Sequence, residues 1–315
     1  MNKYFKWPFR TAFDKETARS FSLTVDVEPD AGPKWATTNP ISFRGVLEAL
    51  PKLEKFCQRW SVQATLFLNP VVLLDENCVR CLRDLSDETF ELATHLHGDY
   101  LEPKARYRGP DFSGCDPVDM QCEYPESVEF GKLENLSRIF QQAFGYPARS
   151  FRAGRFGARS WTLSCLGQLG YTHDASVTPF RNWYDKADFS KAKHLVPYIA
   201  AENNLLEAAL PGQSQSVIEV PVSITSDGAW LRPTPGFSEG GKIVDVARWF
   251  ERQYDDVHLS AMLHNVELVT GMSPYTQTER ETQAIWDTLH LLFDHLTSKG
   301  YTFTKIGDVE VSSAP

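Results

Sequence analysis

The first twenty residues, MNKYFKWPFRTAFDKETARS, lack any continuous apolar stretch; charges alternate there with aromatics. Signal peptides and membrane anchors both need such a stretch, so neither is expected, and the expected location is the cytoplasm. Positive charge is in short supply: 32 Lys and Arg stand against 41 Asp and Glu, a formal net charge of −9. Nucleic-acid binding relies on clustered Lys and Arg that neutralise phosphates, so no nucleic-acid partner is expected. The six cysteines, at positions 57, 78, 81, 115, 122 and 165, form no regular framework, and a cytosolic compartment keeps them reduced. Cys78 and Cys81 make one CxxC without a second pair at zinc-ribbon spacing, which points to two small residues on one helix. Internal repeats, low-complexity segments and interdomain linkers are also missing. A single domain over residues 21–315 is expected, behind an N-terminal extension over 1–20.

What is present is ordinary globular composition, 42% hydrophobic and 23% charged, arranged as alternating strand and helix patterns. FSLTVDVE reads as a strand, FRGVLEALPKLEKFCQRW as an amphipathic helix and VQATLFLNP as the next strand, which begins a βαβ unit. LDENCVRCLRDL, VEFGKLENLSRIFQQAFG and ARSWTLSCLGQLG continue as helices; FELATHLH, PARSFRAG and YTHDASV continue as strands. VIEVPVSI, VHLSAMLHNVEL, a helical SPYTQTERETQAIWDTLHLLFDHLTSKG and a short YTFTKI close the chain. The pattern predicts an α/β fold, a mostly parallel sheet with helices outside. Polar, irregular segments near 101–127 and 180–215 interrupt it and are expected as insertions on the rim that carries the site.

Four stretches could carry chemistry. In LTVDVEPD, the carboxylates Asp26, Glu28 and Asp30 sit at and beyond the carboxyl end of the first strand, and Asp26 and Glu28 share a side if the strand persists. In parallel α/β barrels that end gathers catalytic groups. In ELATHLHGDY, His95 ends a second strand and His97 shares its side if extended geometry continues. Two imidazoles and one carboxylate form a ligand set that suits zinc, with open positions for water and substrate. In SFRAGRFGARS, Arg152 and Arg155 stand among glycines, and a guanidinium can hold a carboxylate by a bidentate pair. In LSAMLHNVEL, His264 ends a late apolar strand aimed at the same rim.

These stretches, in this order, resemble the polysaccharide deacetylase family, the NodB-homology enzymes of carbohydrate esterase family four. The resemblance runs from about Phe21 to Thr304, and it implies a distorted (β/α) barrel of the NodB-homology type. VDVE is similar to a variant of the family's opening motif, which makes Asp26 the implied base and Glu28 an implied metal ligand. ELATHLHGDY falls where the family has its histidine ligands, and MLHNVEL where it has a general-acid histidine, here His264. Two departures stand out. The usual histidine spacing is i and i+4, whereas here Asp99 is at i+4 and His97 at i+2, so His97 and Asp99 compete for the third ligand position. Gly154 replaces a proline expected in the arginine motif.

The resemblance implies a hydrolase that removes an N-acetyl group from an amino sugar, with a divalent metal, zinc, on Glu28, His95 and His97 or Asp99. Asp26 would deprotonate water, Arg152 would orient Asp26, and His264 would protonate the departing nitrogen. Without an export signal, the expected substrate is a glycan precursor or a lipid- or nucleotide-linked sugar. Tyr107, Phe112, Trp183 and Tyr184 are either sugar-facing surfaces or caps on the barrel end. Two rivals share the scaffold: a carbohydrate-binding relative that has lost its metal, and a metal-independent amidase acting on ureide-like bonds.

Overall fold

A computed structural model of the chain describes residues 18–32, 35, 37–38, 40–105, 120–210 and 217–311. In order, its first half contains β1 (Arg19–Val27), α1 (Leu50–Trp60), β2 (Ala64–Leu68), α2 (Pro70–Leu73), α3 (Glu76–Arg83), β3 (Phe90–Leu96), α4 (Glu126–Phe144), β4 (Ser150–Ala153) and α5 (Ser160–Gln168). There follow β5 (His173–Asp174), β6 (Asn182–Trp183), β7 (Ala187–Asp188), β8 (Tyr198–Ala201), β9 (Asn204–Ala208), β10 (Ile218–Glu219), α6 (Lys242–Gln253), β11 (Val257–His264), α7 (Glu279–Ser298) and β12 (Thr302–Phe303). The expected α/β alternation is therefore present. No helix among the described residues is long and apolar enough to cross a membrane.

Seven strands run parallel in the order β11-β1-β2-β3-β4-β5-β10, and β8 and β9 extend the far edge antiparallel. The sheet curls. Beyond β10, Ser223 N–H donates to the Ser260 carbonyl of β11 at 3.0 Å, and Ser260 N–H donates to Ser223 Oγ at 2.9 Å. These bonds draw the two ends of the parallel run together, giving the distorted barrel the sequence implies.

Side-chain alternation sorts each strand between two environments. On β1, Phe21, Leu23, Val25 and Val27 join the large core shared with α7 residues Leu289, Leu292 and Phe293. Between them Ser22, Thr24 and Asp26 are buried and polar. On β3 the intervening positions Glu91, Ala93 and His95 line the interior, where Phe67, Ala93, Ala175, Val220, Ile306 and Val309 form a second apolar cluster. Below this cluster the C-terminal turn acts as a stopper. Glu91 accepts from Thr65 Oγ1, Ser150 Oγ and Gly307 N–H at 2.8, 2.6 and 2.9 Å. The amino end of the barrel is thus filled, and chemistry is left to the carboxyl end.

Several elements differ from the expectation. α6 is an additional helix, whose buried Ile243, Val246, Ala247 and Phe250 fall at i, i+3, i+4 and i+7. α7 begins at Glu279 rather than near Ser273, because Thr278 caps it in a reciprocal capping box with Glu281. The irregular insertion expected near 180–215 contains two hairpins, β6-β7 and β8-β9, the second of which joins the main sheet. Cys78 and Cys81 are free thiols on α3.

Two buried polar devices make this framework sensitive to substitution. Lys132 on α4 is fully buried, and its Nζ donates to the carbonyls of Gly98 and Leu101 at 2.5 and 2.6 Å, fixing the turn that follows β3. Across β5 and β10, the buried carboxyl groups of Asp174 and Glu219 are register partners. Burial pushes the Asp174 carboxyl up to about 6, and burial together with Asp174 pushes Glu219 well above the usual carboxylate range.

Replacing Lys132 with Met takes the ammonium donor from the Leu101 carbonyl and leaves the Gly98 carbonyl with the Leu101 N–H alone, and is expected to cost about 2–4 kcal/mol in urea unfolding. A loss too small to resolve would show that the turn holds itself. The raised carboxyls of the second device mean that the folded protein holds more protons than the unfolded chain above about pH 4, so this pair's stability contribution declines as pH rises through about 6. Glu219→Gln removes the second charge, so the gap between wild type and variant should move in the variant's favour from about pH 5 to about pH 8. A gap that stays constant over that range would contradict the raised carboxyls.

Candidate active site

β3 brings the two histidines to one face. The backbone remains extended at His97, φ −103° and ψ 100°, and a 3-10 turn begins only at Gly98. His95 and His97 therefore project together from the inner side, as the i and i+2 rule requires. Glu28, one residue past the end of β1, meets them there: its Oε1 lies 3.1 Å from His95 Nε2 and 2.9 Å from His97 Nε2. The two Nε2 atoms are 3.1 Å apart. Among the described residues this is the cluster of three whose donor atoms could hold a metal ion. Asp99, the competing candidate, is fully buried on the 3-10 turn and accepts from Tyr124 Oη at 3.4 Å. The geometry brings together Glu28, His95 and His97, and leaves Asp99 outside.

The donor set suits a cation. His95 Nδ1–H donates to the Arg152 carbonyl at 3.0 Å, the register partner of His95 on β4. That bond fixes the tautomer and aims the Nε2 lone pair at the centre. Ligand atoms of a tetrahedral zinc, each about 2.0–2.1 Å from the ion, are separated by about 3.3 Å. The three separations observed here, 2.9, 3.1 and 3.1 Å, are close to that edge.

Gly154 connects the two departures noted in the sequence. A Cβ there would lie 2.4 Å from the Leu96 carbonyl oxygen and 3.1 Å from His97 Cδ2 and Nε2. The Leu96 carbonyl first, and the His97 ring beside it, occupy the space that a side chain at 154 would need. The next two residues, Arg155 and Phe156, are left-handed, with φ of 52° and 57°, and both line the pocket.

Around the triad stand Asp26, held directly by the buried Arg152, and His264, held by Glu267, which pairs with a second buried arginine, Arg232. Asp26 Oδ1 accepts from Arg152 Nη1 at 2.7 Å, and both side chains are buried. Burial alone would raise the Asp26 carboxyl, but the charge and hydrogen bond of Arg152 outweigh it and hold it below the ordinary value. Burial likewise opposes ionisation of Glu28, and the two imidazoles against its carboxylate hold it well below the ordinary value. His264 Nε2 lies 4.0 Å from Asp26 Oδ2, while its Nδ1–H donates to Glu267 Oε1 at 2.9 Å. Glu267 also accepts from Arg232 Nη2 and Thr234 Oγ1. Against the cost of burial, Arg232 and His264 keep Glu267 below the ordinary carboxylate value.

Glu267 and Arg232 were not among the residues expected from the sequence. Glu267 had a signal, since i+3 from His264 is one helical turn; Arg232 had none, because a loop distant in sequence supplies it. Asp30 has a structural role, accepting from Ser42 Oγ and from the N–H groups of Arg44 and Gly45 at 2.6, 2.7 and 2.8 Å. The pocket above these groups has a volume of about 200 Å³ and is walled by aromatics that include Trp35, Tyr100, Trp183 and Tyr275. Trp35 packs on His264 with ring centroids 4.7 Å apart, and Trp183 stacks on Phe156 at 5.6 Å. Tyr184 is 73% exposed and does not line the pocket, while Tyr107 and Phe112 lie outside the described residues.

Substituting Gly154 with Ala is expected to displace His97 and weaken zinc binding about 10–100-fold in a chelator competition, whereas Asp99→Asn leaves it close to wild type. The reverse pattern would make Asp99 the ligand.

No family model and no curated protein matches this sequence. Solved structures do match in fold. A Parabacteroides distasonis protein assigned as a glycoside hydrolase/deacetylase aligns over 93% of this chain and 70% of its own, with a TM-score of 0.64 and 12% identity. A Pseudomonas aeruginosa protein assigned as a polysaccharide deacetylase aligns over 92% and 88%, at 0.55 and 15%. Puue allantoinase aligns over 95% and 89%, at 0.54 and 14%. The chain has the fold that these proteins share, the curled, mostly parallel barrel of the polysaccharide deacetylases.

Proposed function

We propose that the protein is a metal-dependent hydrolase of the polysaccharide deacetylase family that removes an N-acetyl group from an amino sugar. The observation that carries this reading is convergence: Glu28 and Asp26 at the end of β1, His95 and His97 from β3 and His264 from β11 meet at one pocket, with Arg152 of β4 beneath it holding Asp26. A divalent ion on Glu28, His95 and His97, zinc by its donor set, supplies Lewis acidity that polarises an acyl oxygen and eases deprotonation of water near neutral pH.

The chain's own groups do the rest. Asp26, ionised and oriented by Arg152 through Oδ1, has Oδ2 available to take the proton of the attacking water. His264 lines the same pocket with its Nε2 4.0 Å from Asp26 Oδ2, and in this reading that nitrogen protonates the nitrogen that leaves. Glu267, itself held ionised by Arg232, directs the other ring proton of His264 away from the pocket and stabilises the imidazolium. The aromatic walls exclude water and offer faces for a pyranose ring. A glycan precursor, or a sugar on a lipid or nucleotide carrier within the cytoplasm, is the substrate class proposed.

A second reading, amide hydrolysis of a ureide without metal, draws support from the fold shared with an allantoinase. Release of acetate from a panel of N-acetylated amino-sugar donors separates the two. The deacetylase reading predicts turnover that chelation abolishes and zinc restores, and an Asp26→Asn loss of about 10²–10⁴-fold. Hydrolysis of a ureide that persists after exhaustive chelation would replace it.

A further inference from the structure

Glu28 differs from the other two members of the triad in its backbone. His95 belongs to β3 and His97 directly extends it, but Glu28 lies past Val27, the last residue of β1 with a ladder partner on β2. On the other side, the pairing of β1 with β11 ends at Asp26 and His264. A carboxylate that must meet two fixed imidazoles therefore sits on a segment where the sheet no longer holds the main chain. Its peptide groups bind one side chain instead. Glu28 N–H donates to Asn265 Oδ1 at 2.8 Å, and Asn265 Nδ2 donates to the Glu28 carbonyl at 3.0 Å.

We propose that Asn265 is a positioning residue for the metal centre, clamping the Glu28 peptide unit from both sides and setting where its carboxylate meets His95 and His97. This inference rests on the metal reading above and adds a residue that touches neither the ion nor the substrate. The fit is selective. An asparagine presents one acceptor and one donor pair at the spacing of a strand neighbour, so its carboxamide substitutes for the missing ladder. Asn265 is fully buried, and room for it depends on Gly45: a Cβ at 45 would lie 2.6 Å from Asn265 Nδ2 and 3.1 Å from Val266 Cα.

The clamp also joins two halves of the site. Asn265 opens the 3-10 turn Asn265–Leu268, directly after His264 and ahead of Glu267. The turn that fixes the general acid through Glu267 thus fixes the metal carboxylate through Asn265. Displacing it would move both groups at once.

The test compares wild type with Asn265→Ala, Asn265→Asp and Gly45→Ala, by zinc affinity in chelator competition and by the visible absorption of the cobalt(II)-substituted proteins. Asn265→Asp keeps the shape and so remains informative if the alanine variant fails to fold; it sets an oxygen against the Glu28 carbonyl in place of the donor. Each folded variant should bind zinc about 10–100-fold more weakly, with an altered cobalt spectrum. Zinc affinity and cobalt spectrum equal to wild type in folded Asn265→Asp would overturn the clamp alone. Zinc bound by neither wild type nor variants would overturn the metal reading and the clamp with it.

Discussion

A guanidinium with no access to solvent, that of Arg152, is the interaction on which the rest of the site depends. Burying a charge is expensive unless it is paired and hydrogen-bonded. Arg152 meets that requirement in several directions: Nη1 to Asp26, Nε to the Ala175 carbonyl at 2.9 Å, and its flat face 4.4 Å from the Phe67 ring in the barrel interior. Its main chain contributes as well, since its carbonyl accepts from His95 Nδ1. One residue thereby orients the proposed base Asp26, selects the tautomer of His95 and anchors both to the core. The hydrogen bonds are formed without substrate, the preorganisation that the proposed catalysis would use.

Around that anchor the site is organised by paired adaptations. A histidine two residues after the first, rather than four, needs an open backbone across from it, and Gly154 provides one. A carboxylate beyond the end of its strand needs a substitute for the ladder, and Asn265 with Gly45 provides that. The proposed acid and base each lean on a charged partner, His264 on Glu267 and Asp26 on Arg152. Departures that look like erosion of a motif in one dimension are, in three, a self-consistent alternative geometry.

Local periodicity made most of the fold legible. Alternation along FSLTVDVE and FELATHLH gave the strands, and with them the shared face of His95 and His97. What was not legible is non-local. Nothing near Glu267 announces Arg232, and nothing near Glu28 announces Asn265, which is 237 residues away along the chain. The choice between His97 and Asp99 depended on whether the strand outlasts Leu96 by one residue, which is set by how Lys132 and Gly154 receive the turn. The β8-β9 hairpin escaped because its strands, YIAA and NLLEA, are too short to show a clean period; its pairing comes from β10.

Anomalous diffraction at the zinc edge, from crystals grown with the metal, tests the central claim most directly. The account predicts one peak at the carboxyl end of the barrel, about 2.0–2.2 Å from a Glu28 carboxylate oxygen and from Nε2 of both His95 and His97. A peak coordinated by Asp99 with His97 turned away, or no peak in the barrel at all, would contradict it.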